Sequence, residues 1–173
     1  MLFRSRKEGV EERVRGIVGS MEDLPFEAGE LDLIWSEGAI YNMGFKNGVQ
    51  AWHKLLKPGG YLAVTEATWF TEKRPSGIEN YWNQAYPEID TIARKVDIMQ
   101  KSGYMPVATF ILPETCWTDH FYVPQVKAQA LFLEKHAGNE TASKLVEEQR
   151  QEAKMYEKYK AYYGYTFFIG KKI

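Results

Sequence analysis

Apolar positions along this chain fall into two patterns. Some runs stay apolar for four or five residues, and in others the apolar residues recur every third or fourth position. Val14-Arg-Gly-Ile-Val-Gly19 is a short β-type run closed by the turn-prone stretch Leu24 to Gly29. Leu31-Asp-Leu-Ile-Trp35 is nearly all apolar, which predicts a strand covered on both faces. Phe45, Val49, Trp52, Leu55 and Leu56 then share one helical face, and Lys57-Pro58-Gly59-Gly60 ends that helix. Tyr61 to Thr65 predicts a third strand, whereas the polar, aromatic-bearing segment from Glu66 to Pro87 shows no clear period. Ile89, Ile92, Val96 and Met99 predict an amphipathic helix ended by Ser102-Gly103. Tyr104 to Leu112 reads as a strand with Pro106 near its start, where proline is best tolerated. Residues 125–136 and 140–162 read as helices with Asn139 as an N-cap, and Tyr163 to Ile169 alternates aromatics into a last strand.

Strands alternating with helices through short loops predict an α/β fold with a mostly parallel sheet. The final two strands are expected to pair antiparallel, because helices and not a simple crossover separate them. With 173 residues, 45% hydrophobic and 26% charged, the composition is that of one globular domain. A formal net charge of −1 gives no field to attract nucleic acid or an anionic membrane, so neither is expected as a partner. No apolar run approaches the roughly 18 residues of a membrane span. The single cysteine, Cys116, and three scattered histidines assemble neither a disulfide nor a zinc site, so no metal is expected and the compartment reads as cytoplasmic.

Three stretches carry a family resemblance: Gly19-Ser-Met-Glu-Asp-Leu-Pro-Phe26, Leu31-Asp-Leu-Ile-Trp-Ser-Glu-Gly38 and Leu55-Leu-Lys-Pro-Gly-Gly-Tyr-Leu62. In order and spacing they resemble the class I S-adenosylmethionine-dependent methyltransferases of the type 11 group, which includes ubiquinone- and menaquinone-biosynthesis enzymes. The resemblance implies a Rossmann-like sheet of strand order 3-2-1-4-5-7-6, closed by an antiparallel terminal hairpin. It makes Val14–Val18 the third strand, Leu31–Trp35 the fourth and Tyr61–Thr65 the fifth. The family's glycine-rich loop and ribose-binding acid precede the third strand, so the chain is expected to be N-terminally truncated and to lack the first two strands. Residues 1–173 then form a single partial methyltransferase domain, with residues 113–162 as an aromatic-rich helical insertion before the last strand. An unpaired central edge at Leu31–Trp35 invites association, and a homo-oligomer through that edge is one expectation. Closure of Val14–Val18 onto the fourth strand is another.

The resemblance also implies S-adenosylmethionine as cofactor and a small-molecule methyl acceptor. Ser20, Met21 and Glu22 match the loop that cups the adenine, with Ser20 in place of a common aspartate and Met21 suited to pack on the ring. Ser36, Glu37 and Gly38 follow the fourth strand at the carboxyl edge, where open α/β sheets bind ligands, and Glu37 suits the amino group of the methionine end. Tyr41, Asn42, Trp69, Trp82, Tyr86 and Trp117 sit in segments resembling the substrate cover and suggest an apolar or aromatic acceptor site. His120 is the candidate base for removing an acceptor proton, while the adjacent Asp119 points away in an extended segment. Pro58, Gly59 and Gly60 diagnose the family and do no chemistry. Asp32 fixes a local turn, His53 and His136 are structural, and Cys116 is a small packing residue.

The expected chemistry is direct displacement, with the acceptor attacking the methyl carbon in line with the departing thioether. The protein supplies alignment and exclusion of water. Without the glycine loop, cofactor binding by this chain is expected to be impaired. The alternative is a catalytically inactive methyltransferase-like remnant that acts as a binding or dimerisation module. An unrelated α/β enzyme whose motif matches are accidental is the third reading.

Overall fold

The computed structural model describes residues 2–173, with the side chain of Leu2 left out. A short helix α1 (Leu2–Lys7) is followed by an irregular segment that reaches the first strand, β1 (Leu31–Ser36). Then come α2 (Phe45–Leu55), β2 (Leu56–Trp69), α3 (Ser76–Ala85), the two-residue β3 (Asp90–Thr91), α4 (Ile92–Lys101) and β4 (Tyr104–Ile111). After single turns at Glu114–Cys116 and Thr118–Tyr122, the chain forms α5 (Val123–Lys135), α6 (Glu140–Tyr159) and β5 (Tyr163–Lys172).

The sheet runs β1-β2-β5-β4, with β3 beside the end of β2. β1 and β3 pair parallel with β2, whereas β5 runs antiparallel to both β2 and β4. This is the 4-5-7-6 portion of the expected order, with the last two strands paired antiparallel as anticipated. β5 inserts between β2 and β4 because its alternating residues serve two faces at once. Phe168 and Thr166 turn to one side, and Tyr163 and Phe167 to the other.

The first core lies under α2 and α4, where Phe45, Val49 and Trp52 meet Leu62, Val64, Met99, Tyr104 and Phe168. The second is aromatic and lies towards α3 and α6, with Trp69, Trp82, Trp117, Tyr156 and Tyr163 all buried. Two glycines start β2. Gly59 takes φ +79°, and a Cβ on Gly60 would sit 3.0–3.1 Å from the carbonyls of Lys57 and Asp32. Only glycine lets the backbone pass this close to β1. Lys57 adds an exposed ion pair to Asp32 at 2.8 Å, so Asp32 ties β1 to the start of β2.

Three expectations change. Val14–Val18 forms no strand and does not close onto β1, with Ile17 and Val18 exposed. Its β-type residues meet no partner strand, and an isolated strand has nowhere to place its backbone donors and acceptors. The stretch Glu66–Pro87 is structured: β2 continues to Trp69, and Ile78, Tyr81, Trp82 and Ala85 of α3 form a short apolar stripe. Finally, α4 begins at Ile92 and not at Ile89, because Thr91 caps it by accepting from the Arg94 N–H. Asn139 caps α6 in the same way, accepting from the Ala142 N–H at 3.1 Å.

β1 is an open edge, with Leu33 50% and Trp35 59% exposed. Exposed apolar edges template association. Leu33→Lys is expected to reduce concentration-dependent self-association in light scattering. The melting temperature should change little, since the position contributes under about 0.5 kcal/mol. An unchanged association profile would show that the edge is not the contact. No helix among the described residues is long and apolar enough to cross a membrane.

Candidate functional site

Two adjoining cavities open at the carboxyl ends of β1 and β2, and they share Gly38, Trp117, Phe121 and Tyr165 as a common wall. The outer cavity, about 450 Å³, adds Glu37, Thr65, Leu112, Cys116 and His120. The inner one, about 350 Å³, adds Tyr41, Glu66, Ala67, Tyr81, Trp82, Ala85, Tyr86 and Glu152.

The wall is built by local rules. Leaving β1, the chain turns at Gly38 with φ +57°, a backbone conformation that L side chains rarely adopt. Its N–H donates to Thr65 Oγ1 on β2 at 2.7 Å, which fixes the loop to the sheet. Glu37 stays exposed, and its Oε1 accepts from Trp35 Nε1 at 2.6 Å. Trp117 is stacked between Tyr165 (centroids 4.6 Å apart, planes at 20°) and Tyr156 (4.9 Å, 17°). Trp117 Nε1 is buried without a hydrogen-bond partner among the described residues. Phe121 packs edge-on against Trp117 at 6.4 Å.

The inner cavity holds two carboxylates in different circumstances. Glu66, on β2, is fully buried and paired: Lys95 Nζ of α4 lies 2.9 Å from its Oε1, and the Tyr86 hydroxyl donates to the same oxygen. Lys95 also donates to the Glu88 carbonyl at 2.8 Å and sits 4.7 Å from the centre of the Phe45 ring. Burial raises the Glu66 pKa above the usual carboxylate value, against the opposing pull of Lys95 and Tyr86. Glu152, on α6, accepts one hydrogen bond, from the Tyr122 hydroxyl at 3.0 Å, and has no cationic partner among the described residues. Burial raises its pKa as well, with the Tyr122 bond acting in the opposite direction. Around these acids burial pushes the phenols of Tyr81 and Tyr165 up to about 12, with nearby carboxylates adding to the shift. Both phenols are neutral hydrogen-bonding groups at ordinary pH.

The structure gathers several residues singled out in the sequence. Glu37, Gly38, Trp117 and His120 meet around the outer cavity, and Gly38, Tyr41, Trp82, Tyr86 and Trp117 around the inner one. Tyr41 packs edge-on against Tyr86 at 6.1 Å. Other residues lie elsewhere. Ser20 and Glu22 belong to a small exposed turn in which the Glu22 N–H donates to Ser20 Oγ at 3.3 Å. Met21 packs against the first core, and its carbonyl accepts from Trp52 Nε1 at 3.1 Å. Ser36 ends β1 outside both cavity linings. The Asn42 amide donates to the Ala39 carbonyl of its own turn at 3.0 Å. Trp69 is corrected from pocket to core: it is 2% exposed, packs on Tyr163 and carries the Arg74 guanidinium 4.3 Å from its ring centre. The extended geometry expected around Asp119 and His120 is replaced by a single wide π-helical turn, where Asp119 accepts from Thr118 Oγ1 at 2.8 Å.

Cys116 lines the outer cavity besides packing. His53 lies 3.3 Å from the Gly103 carbonyl and edge-on to Tyr104, and His136 sits against Phe132, so both are structural. No group of three or more metal-ligating side chains occurs among the described residues. Glu66, Tyr81, Phe121, Glu152 and Tyr165 were not singled out in the sequence. Tyr165 carried a faint signal in the alternation of the last strand. Glu152 carried none, since it is one of several acids on a charged helix.

Residues 1–64 match a family described as a methyltransferase domain. Sarcosine/dimethylglycine N-methyltransferase from Aphanothece halophytica is 31% identical over 75 residues, which are 43% of this chain and 27% of that protein. A SAM-dependent methyltransferase from Geobacter sulfurreducens, solved in complex with S-adenosyl-L-homocysteine, superposes with a TM-score of 0.80 at 18% identity, covering 99% of this chain and 69% of that one. The [4+2]-cyclase SpnF superposes with a TM-score of 0.71 at 20% identity, covering 98% of this chain and 60% of that one. The chain therefore spans about a quarter of the curated relative's length and three-fifths of the cyclase's.

Proposed function

We infer that this chain belongs to the class I S-adenosylmethionine-dependent methyltransferases and serves methyl transfer from S-adenosylmethionine to a small-molecule acceptor, a reading supported by its motifs and by the matches over part of its length. The observation that carries this reading is the pair of adjoining cavities divided by Gly38, Trp117, Phe121 and Tyr165. Methyl transfer needs two molecules held end to end with water excluded, and two compartments meeting at one wall suit that need. The cofactor supplies the activated methyl group. The outer cavity suits its methionine end: Glu37 offers a carboxylate for an ammonium, and the bare backbone of Gly38 permits close approach. The inner cavity suits the acceptor, with Tyr41, Trp82, Tyr86 and Trp117 as its aromatic cover. His120, the expected base for an acceptor proton, borders the outer cavity and not the inner one given to the acceptor. Ser20, Met21 and Glu22 line neither cavity, and a role for them in holding the adenine rests on the family resemblance alone. We treat residues 1–173 as one partial methyltransferase domain acting in the cytoplasm. Cofactor affinity is proposed to be weak, because Glu37 and Gly38 supply only one wall.

Calorimetric titration with S-adenosylmethionine tests this. Saturable heat is expected, and Gly38→Val is expected to weaken it about tenfold or more. A β-branched residue at φ +57° strains the loop by about 1–3 kcal/mol and brings bulk towards the Tyr165 hydroxyl. A folded protein giving no heat at high cofactor concentration removes autonomous cofactor binding. The second reading, a catalytically inactive module that binds or dimerises through its open edge, is favoured by the exposure of Leu33 and Trp35.

A further inference from the structure

Charge in the inner cavity is unbalanced. Of its two carboxylates, Glu66 is neutralised by Lys95 at 2.9 Å, whereas Glu152 accepts one hydrogen bond and has no cation beside it among the described residues. A carboxylate withdrawn from water without a counter-ion is costly, so the site gains when a cation enters. The surrounding surface is aromatic: Tyr81, Trp82, Tyr86, Trp117 and Tyr165 line the same space. The two faces of Trp117 are taken by Tyr156 and Tyr165, so the rings left to meet an ammonium through the quadrupole are those of Tyr81, Trp82 and Tyr86, most strongly where water is excluded. The indole N–H groups of Trp82 and Trp117, both of which line this cavity, are buried without an acceptor among the described residues.

Resting on the acceptor role given to this cavity above, we propose that the methyl acceptor is a small aliphatic amine, held as its ammonium form against the Glu152 carboxylate within the aromatic walls. An ammonium has no lone pair to attack with. Transfer therefore begins as the ammonium N–H bond breaks and its proton passes to the Glu152 carboxylate. The freed nitrogen lone pair forms the new N–CH3 bond as the S–CH3 bond breaks. The bonding pair stays on sulfur, which leaves as a neutral thioether, and the product is a more methylated ammonium. No other co-reactant is required.

Tetramethylammonium chloride is the probe, titrated into the full chain with tryptophan fluorescence as the signal, since Trp82 and Trp117 both border the cavity. Sodium chloride at matched ionic strength and neutral tert-butanol are the comparisons. Saturable quenching by tetramethylammonium alone is expected, weakened about tenfold in Glu152→Gln, which keeps the shape and removes the charge. Glu148→Gln, on the exposed part of the same helix, is expected to leave the response unchanged. Equal responses to tert-butanol and tetramethylammonium, or full affinity in a folded Glu152→Gln protein, overturn the proposal. The comparison of the two probes on the unmodified chain decides the matter if the variant does not fold. This readout requires no cofactor, so it separates cleanly from the titration with S-adenosylmethionine. Amine binding without cofactor binding removes only the transferase reading, and the reverse removes only the amine.

Discussion

Lys95→Met is expected to destabilise the fold by about 3–5 kcal/mol, because it leaves Glu66 buried without its counter-charge. Lys95 and Glu66 are each about 1% exposed and lie 2.9 Å apart. The variant also loses the bond to the Glu88 carbonyl, which helps set the approach to α4. At this chain length such a loss corresponds to a fall of about 10 °C in melting temperature, measurable by calorimetry. Replacing both partners, Lys95→Met with Glu66→Leu, is expected to recover most of the loss, since apolar residues of similar volume carry no desolvation penalty. The pH dependence has a definite sign. Burial already raises the Glu66 pKa, and removing Lys95 takes away the largest influence that lowers it. A carboxyl whose folded pKa lies above its unfolded one contributes stability below the unfolded value, and that stability is lost as pH rises. The gap between variant and parent should therefore widen from about pH 5 to about pH 8. A gap that narrows over that range, or a single variant as stable as the parent, would sink the pairing argument.

Trp117→Ala is the second large effect. Trp117 is 5% exposed, stacks on Tyr156 of α6 and Tyr165 of β5, and touches Phe121, Tyr122 and Tyr163 at its edges. It joins the helical segment to the sheet, so truncation removes both buried area and stacking, at a cost of about 3–5 kcal/mol. The same change merges the two cavities by deleting most of their shared wall. Trp117→Phe is expected to cost less than about 1.5 kcal/mol, because it keeps the stack and removes an indole N–H that has no partner among the described residues. Thermal unfolding of the two variants checks the ordering, and near-equal losses would place the energy in the indole nitrogen and not in the stack.

Much of the scaffold was readable from local pattern. The runs at Leu31–Trp35, Tyr61–Thr65 and Tyr104–Leu112, and the helical faces from Phe45 and from Ile92, became elements close to where they were expected. Each bears its signal within one segment. Among the site residues, Glu37 and Gly38 were readable because the motif after a strand fixes their place at the sheet's carboxyl edge. Glu152 and Tyr81 were not, since nothing in α6 or α3 alone says which side faces a cavity. Trp69 was misassigned for the same reason: its ring is covered by Tyr163 and Arg74, from segments distant or unperiodic in sequence.

The open edge of β1 shows where the division falls. The sequence by itself determined that Leu31–Trp35 forms a strand and that a tight glycine turn follows the next helix, because periodicity, chirality and turn chemistry act over a few residues. It also endowed Val14–Val18 with β-type residues. Only the tertiary structure decided that this segment stays unpaired, that Glu66 is neutralised while Glu152 is not, and that Trp117 divides two cavities. Those outcomes depend on which surfaces meet across the fold. Hydrogen-bond ladders, counter-charges and stacked rings all need a partner that local sequence cannot name.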